Sequence, residues 1–313
     1  MNYVVTGGAG FIGSHIAEHL IHHGHDATVL DNLFSGKKDN IRHLLDHPNF
    51  RFVEGSITSI DLLNDAFQNA DGIFHQAAIP SVPRSIQDPV ATNNANVNGT
   101  LNVLLAARDC GVRKVAYASS SSVYGDTPTL PKVESMTPNP KSPYAVSKLA
   151  GEYYCRVFSE VYGIKTVALR YFNVFGPRQD PESQYAAVIP QFITRTLAGQ
   201  PPIIYGDGTQ TRDFTYVKDV VQANVKAIES NAEGVFNVAY NQRISLLSLV
   251  DIIAEETGMK VNPVFELPRP GDIHDSQADI SAAQKAFGYT PDYMVRSGLK
   301  ETIAWYRRNA AMP

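Results

Sequence analysis

Short apolar runs alternate with stretches of helical period through the first half of the chain. Tyr3-Val4-Val5, Ala27-Thr28-Val29-Leu30, Phe50-Arg51-Phe52-Val53, Gly72-Ile73-Phe74-His75, Lys114-Val115-Ala116-Tyr117 and Val167-Ala168-Leu169-Arg170 are brief and apolar, as strands buried on both faces are. Between them, Ile12, Ile16 and Leu20 recur at i, i+4 and i+8, which predicts a helix, and Gly24 is placed to end it. Leu101, Leu104 and Leu105 predict a second helix that ends near Gly111. Strands alternating with helices in this way imply an α/β chain with a doubly wound parallel sheet.

After Tyr171 the texture changes. Pro177, Pro181, Pro190, Pro201-Pro202, Pro263, Pro268, Pro270 and Pro291 punctuate shorter elements, which reads as a smaller, loop-rich C-terminal α/β lobe over the carboxyl edge of the sheet. The apolar, partly helical stretch from Phe214 to Ile228 is expected to return to the first domain. The expected division is therefore residues 1–171, joined by 214–240, and a substrate lobe within 172–313. No internal repeat or long flexible linker separates the two, so a rigid unit with a cleft is expected.

Composition narrows the class. The chain has 313 residues, 43% hydrophobic and 19% charged, with a formal net charge of -4 from 27 basic and 31 acidic residues. No basic block stands out, which argues against a nucleic-acid partner. No apolar run approaches the roughly 20 residues a membrane span needs, and Met1-Asn2 leads straight into Tyr3 without a charged leader. Cys110 and Cys155 are the only cysteines, too few for a disulfide framework. A cytoplasmic protein with no membrane partner is expected. His15, His19, His22, His23 and His25 cluster near the first helix, but no cysteine or carboxylate set completes a metal shell, so no metal is expected.

Thr6-Gly7-Gly8-Ala9-Gly10-Phe11-Ile12-Gly13 follows the first strand and opens the first helix. Gly7 permits the tight turn, Gly10 lets backbone approach a pyrophosphate, and Gly13 allows close helix–sheet packing, the Rossmann-type arrangement. The helix N-terminus beyond, at Phe11 and Ile12, supplies N–H groups and positive dipole. Asp31 closes the second strand about 20 residues on, where a carboxylate accepts ribose hydroxyls and repels a 2′-phosphate. With Asn32 beside it, this predicts NAD as the cofactor.

Tyr144-Ala145-Val146-Ser147-Lys148 puts Tyr144 and Lys148 on one helix face. A lysine ammonium and a positive nicotinamide both favour the phenolate, moving tyrosine toward a useful acid–base range. Upstream, Ser119-Ser120-Ser121-Ser122 follows a buried strand and offers hydroxyls at the same sheet edge.

With these motifs the chain resembles the extended short-chain dehydrogenases/reductases, and among them the nucleotide-sugar 4-epimerases, over nearly its whole length. TGGAGFIGS at 6–14, DNLFSG at 31–36, NVNGT at 96–100, SSSSVYGD at 119–126 and SPYAVSK at 142–148 mark the superfamily. RYFNVFGPRQDP at 170–181, GDGTQTRDF at 206–214 and RPGD at 269–272 point toward a nucleotide diphosphate sugar. The resemblance implies that Tyr144 is the acid/base, that Lys148 holds the nicotinamide ribose, and that Ser120 assists proton transfer. It places Ser121 and Ser122 beside the sugar, Asn96 near the cofactor, and Asn173, Arg212, Arg269 and Asp272 around UDP. One position departs from the family: Ser56 stands where an acid often contacts adenine.

The implied reaction is C4 epimerisation through a 4-keto sugar. Dehydratases and decarboxylases of the superfamily usually carry an acid after the catalytic hydroxyl, where this chain has Ser121-Ser122. By resemblance Ser276 forms a wall of the sugar pocket, and its small size admits a 2-acetamido group. UDP-N-acetylglucosamine/UDP-N-acetylgalactosamine is the expected pair, with UDP-glucose/UDP-galactose second. Arg84, which could meet a carboxylate, keeps UDP-glucuronate open. A 4-ketosugar reductase and a non-catalytic NAD-binding relative are the remaining alternatives. Tyr153-Tyr154, Phe158 and Val161-Tyr162 continue the catalytic helix with apolar spacing, and in the family such a helix pairs across a two-fold axis, so a homodimer is expected.

Overall fold

A computed structural model of the chain describes residues 1–181, 187–260, 262–268 and 274–310. The six expected runs form β1 (Asn2–Thr6), β2 (Asp26–Asp31), β3 (Phe50–Glu54), β4 (Gly72–His75), β5 (Lys114–Ser120) and β6 (Lys165–Tyr171). The short strands β7 (Val174–Phe175), β8 (Ile203–Tyr205), β9 (Thr211–Arg212) and β10 (Thr215–Tyr216) lie outside the main sheet, while β11 (Gly234–Val238) rejoins it beside β6. Among the described residues the main sheet has seven parallel strands in the order β11-β6-β5-β4-β1-β2-β3. The fold is therefore Rossmann-type, as the alternating pattern implies. Winding reverses at β1, whose neighbours β4 and β2 lead away in opposite directions, and this opens a crevice at the carboxyl ends of the strands.

Helices cover both faces. They are α1 (Phe11–His22), α2 (Ile60–Ala66), α5 (Gly99–Asp109), α6 (Pro143–Tyr162) and α8 (Val217–Glu229); α3 (Val82–Gln87) and α4 (Pro89–Asn93) pack on α6, and α7 (Val188–Leu197) belongs to the C-terminal cluster. On one face Ile16, Ala17 and Leu20 of α1 and Val220, Ala223 and Ala227 of α8 meet Val5, Val29 and Phe74 of the sheet. On the other, Leu63, Val103, Leu104, Cys155 and Phe158 meet Val4, Ile73 and Val115. The strands are apolar on both sides for this reason. At the amino edge, buried Lys114 donates from Nζ to Ala227 O at 2.7 Å and Ser230 O at 2.8 Å, a cation closing the carboxyl end of α8.

A separate apolar cluster holds the C-terminal elements, with Phe175, Phe192, Ile204, Phe214, Tyr216 and Leu249 at its centre. Phe11 and Ile12 of α1 pack against it, so the two cores share a wall at the glycine loop. Asp213 ties the loops above the crevice together: its carboxylate accepts the N–H of Tyr240 at 3.0 Å and of Ala278 at 3.1 Å. Burial pushes this carboxyl up to about 7 against the pull of those donors. No described helix is long and apolar enough to cross a membrane.

Candidate active site

The crevice is shaped for a dinucleotide. Gly7 has φ +68°, and a Cβ there would stand 2.6 Å from Ala77 N, while a Cβ on Gly13 would stand 2.3 Å from Gly7 O. Only glycine keeps this turn so close to both the β4 loop and the helix. Gly10 caps α1 with no side-chain bond to the first turn, which leaves those N–H groups directed at the crevice. Asp31 ends β2 against the same loop, its Oδ2 accepting Ala9 N at 3.0 Å and its Oδ1 accepting Leu33 N at 2.8 Å. Burial raises its carboxyl above the ordinary value, opposed by these backbone donors. Asn32 Oδ1 accepts Phe34 N at 3.1 Å and shapes the next turn. The cradle and the carboxylate fit NAD. Ser56 makes a local turn instead, its hydroxyl 2.8 Å from that of Thr58.

β5 and α6 bring the chemistry to the adjoining edge. Ser142 caps α6 by accepting Ala145 N, Pro143 supplies a pre-set first turn, and Tyr144 follows. Ser85 of α3 accepts the Tyr144 N–H at 3.0 Å, fixing where the helix begins. Burial pushes the Tyr144 phenol above its ordinary pKa, and a hydrogen bond from Ser120 pulls it back. One turn on, buried Lys148 is lowered by desolvation to about 8. Its Nζ donates to Ala118 O at 2.9 Å and lies 5.9 Å from the centre of the Tyr144 ring. Tyr144, Ser120 and Lys148 are thus brought together.

A buried polar layer supports this cluster. Asn96 accepts Ile79 N at 2.8 Å, and its Nδ2 donates to Ser147 Oγ at 3.0 Å, joining the β4 loop to α6. Thr100 donates to Asn96 O, so His75 Nε2 must donate to Thr100 Oγ1 while its Nδ1 accepts from Thr6. Burial keeps this histidine neutral, with its pKa lowered to about 3. Beyond Lys148 on the same face, Glu152 forms a bidentate pair with Arg170 at 2.8 and 2.7 Å and accepts the Ser119 hydroxyl. Sequence reasoning missed Glu152, Arg170 and Ser85. The signal for Glu152 was its spacing, i+8 from Tyr144 and i+4 from Lys148, which puts it on the buried face.

Ser121 and Ser122 lie in the tight turn 121–124 that Ser120 caps by accepting Ser122 N at 3.2 Å. The Ser122 hydroxyl is buried without a hydrogen-bond partner among the described residues. Asn173, in a left-handed conformation with φ +34°, donates to Asp213 O at 3.0 Å and to Ser276 Oγ at 3.3 Å. A cavity of about 260 Å³ lies alongside, lined by Asn173, Phe175, Ile189, Tyr205, Arg212 and Phe214. Arg212 Nη1 donates to Thr211 O and His274 O, both at 2.9 Å. Arg269 and Asp272 lie outside the described residues. The guanidinium of Arg84 lies 5.3 Å from the centre of the Phe34 ring. Of the histidine cluster, His15 Nε2 meets Pro177 O at 3.0 Å and His19 stacks on His23 at 3.9 Å.

Comparison with known proteins bears on this geometry. The model of the NAD dependent epimerase/dehydratase family matches residues 3–241. The UDP-glucose 4-epimerase of Mycolicibacterium smegmatis is 39% identical over 313 residues, 99% of this chain and 100% of that protein. The solved UDP-N-acetylglucosamine 4-epimerase of Methanobrevibacter ruminantium, in complex with UDP-N-acetylmuramic acid, superposes with TM-score 0.95 at 42% identity over 98% of each chain. The UDP-glucuronic acid 4-epimerase of Bacillus cereus, in complex with UDP-glucuronic acid and NAD, superposes with TM-score 0.92 at 32% identity over 99% of this chain and 100% of that one. With the glycine cradle, the acid of β2 and the tyrosine–lysine pair at one sheet edge, the chain belongs to the NAD dependent epimerase/dehydratase family.

Proposed function

We infer that this NAD-dependent nucleotide-sugar 4-epimerase interconverts UDP-hexoses at C4, with UDP-N-acetylglucosamine and UDP-N-acetylgalactosamine as its preferred pair and UDP-glucose/UDP-galactose as a second. The observation that carries the reaction is the Tyr144–Ser120–Lys148 cluster beside the glycine cradle. Residues 1–171 with 214–240 hold the cofactor, and the rest of 172–313 holds the nucleotide sugar. Gly7, Gly10, Gly13, Asp31 and Lys148 would hold NAD, which would supply reversible hydride transfer at the sugar carbon.

Tyr144 takes the proton of the 4-hydroxyl through the hydrogen bond it shares with Ser120, and gives it back when the carbonyl is reduced. The charge of Lys148 favours the phenolate, while burial of the phenol opposes it. The flat 4-keto sugar turns about its diphosphate link between the two steps. That motion requires a firm hold on UDP and a loose one on the sugar. Asn173 and Arg212 at the cavity supply the first, and Ser121 and Ser122 touch the sugar with short side chains.

The choice of sugar rests on Ser276. Its hydroxyl accepts from Asn173, so a small side chain borders the sugar's path where a bulky one would exclude a 2-acetamido group. The likeness to an epimerase of UDP-N-acetylglucosamine supports the same reading. UDP-glucuronate is the second reading, supported by the glucuronate epimerase likeness. The chain pairs with a second copy through the outer face of α6, where Val146, Tyr153, Val157 and Val161 are exposed. Ser276→Tyr tests the pocket. kcat/KM for UDP-N-acetylglucosamine should fall about five- to 150-fold, since overfilling a packed site costs roughly 1–3 kcal/mol, while UDP-glucose turnover persists. Equal losses on both sugars contradict the assignment.

A further inference from the structure

We propose that Arg84 and Phe34 form a strap over the dinucleotide crevice that slows release of NAD, an inference that rests on the NAD reading of that crevice. Phe34 belongs to the loop after β2, at the Asp31 end. Arg84 belongs to α3, after β4, whose Ser85 holds the start of the catalytic helix. In the sheet β1 lies between β2 and β4, so a contact from one loop to the other passes over the glycine turn at the end of β1. The guanidinium sits 5.3 Å from the centre of the Phe34 ring.

The local structure is built to present that ring. Leu33 adopts φ +58°, a conformation a branched side chain occupies only at a cost, held by its N–H bond to Asp31 Oδ1 at 2.8 Å. The loop is pinned behind the ring: Lys37 N donates to Ala9 O at 3.0 Å, Asn40 Nδ2 donates to the same oxygen at 2.9 Å, and Lys37 pairs with Asp180 at 3.2 Å. Phe34 nevertheless keeps 59% of its surface in solvent. A phenyl ring raised by a strained residue on an anchored loop, and outside the apolar clusters of the described residues, has the Arg84 cation against it. On the far side Arg84 is set by Ser81, whose hydroxyl accepts the Arg84 N–H at 3.2 Å. Both ends of the strap are fixed to parts that line the crevice, so the cofactor leaves only when the contact opens.

The test loads purified protein with NAD, dilutes it into an NAD-consuming trap, and follows retained NAD after filtration and acid extraction. Phe34→Ala and Arg84→Ala should each speed release about two- to five-fold, the range of an exposed cation–π contact. The double variant should release no faster than either single one, because both remove the same contact. Phe34→Leu should release as fast as Phe34→Ala, and Phe34→Trp should retain the slow rate. Unchanged rates in either single variant, a double variant at the product of the two, or slow release from Phe34→Leu would overturn the strap. A wild-type chain that binds no NAD overturns the NAD reading and the strap together; NAD bound but released equally fast by wild type and variants overturns the strap alone.

Discussion

At Tyr144 two effects of burial meet. Desolvation holds the phenol protonated and lowers the neighbouring Lys148 to about 8, so near neutral pH the lysine keeps its charge beside a neutral phenol. A nearby positive charge and the Ser120 hydroxyl act in the opposite direction, and catalysis needs them to win while substrate is present. Removing the phenol oxygen removes the proton path and little else, since the backbone of Tyr144 is held by Ser85. Tyr144→Phe should therefore fold and bind NAD as the wild type does, with kcat reduced by about 10²–10⁴-fold, the ordinary contribution of a positioned acid/base. Turnover within a few-fold of wild type, read by resolving the sugar epimers, contradicts the role. These residues were legible in the sequence because their chemistry is local: a tyrosine and a lysine one turn apart, glycines in a strand-to-helix turn, an acid at the end of a strand. Arg84 was legible as a charge but not in its direction, which depends on a ring fifty positions earlier in the chain. Asp213 carried no signal of its burial, because its donors come from distant loops.

Among the elements, α6 does most to build the site. Its buried face runs Ala145, Lys148, Gly151, Glu152, Cys155 and Phe158, a helical period that sets the lysine beneath the serine turn and the glutamate beneath the lysine. Gly151 is where this helix approaches the sheet most closely: a Cβ there would stand 2.2 Å from the hydroxyl of the fully buried Tyr117, whose ring lies 5.1 Å from Lys148 Nζ. Gly151→Ala sets two magnitudes against each other. Alanine favours the helix by about 1 kcal/mol, while forcing a filled core apart costs about 1–3 kcal/mol. The core term wins because Tyr117 has nowhere to move, so thermal unfolding should come at a lower temperature and kcat should fall with it. An unchanged or higher midpoint contradicts the packing argument. The six strands and the first helix were readable because burial on both faces leaves a plain apolar run. The irregular turn at Asn94–Asn98 and the edge strand β11 of the main sheet were not, since the first is set by Asn96 reaching the β4 loop and the second by pairing with β6.

For the whole molecule, the reversal of winding at β1 places a crevice at the carboxyl edge, where the glycine cradle, Asp31 and the Tyr144–Ser120–Lys148 cluster meet. The opposite consequence concerns the outside of α6, where Val146, Tyr153, Val157 and Val161 are 53%, 48%, 41% and 65% exposed. Apolar side chains recurring on one helix face in contact with water mark an interaction surface, and the proposed homodimer covers it. Val157→Glu with Val161→Glu should give a monomer by sedimentation with its circular dichroism unchanged; a wild-type monomer, or a dimer that survives both charges, contradicts the pairing. Purified protein incubated with UDP-N-acetylglucosamine and no added cofactor, with the C4 epimers resolved by chromatography, should yield UDP-N-acetylgalactosamine up to an equilibrium mixture. Absence of any C4 epimer from this sugar and from UDP-glucose, even with NAD supplied, would contradict the account at its centre.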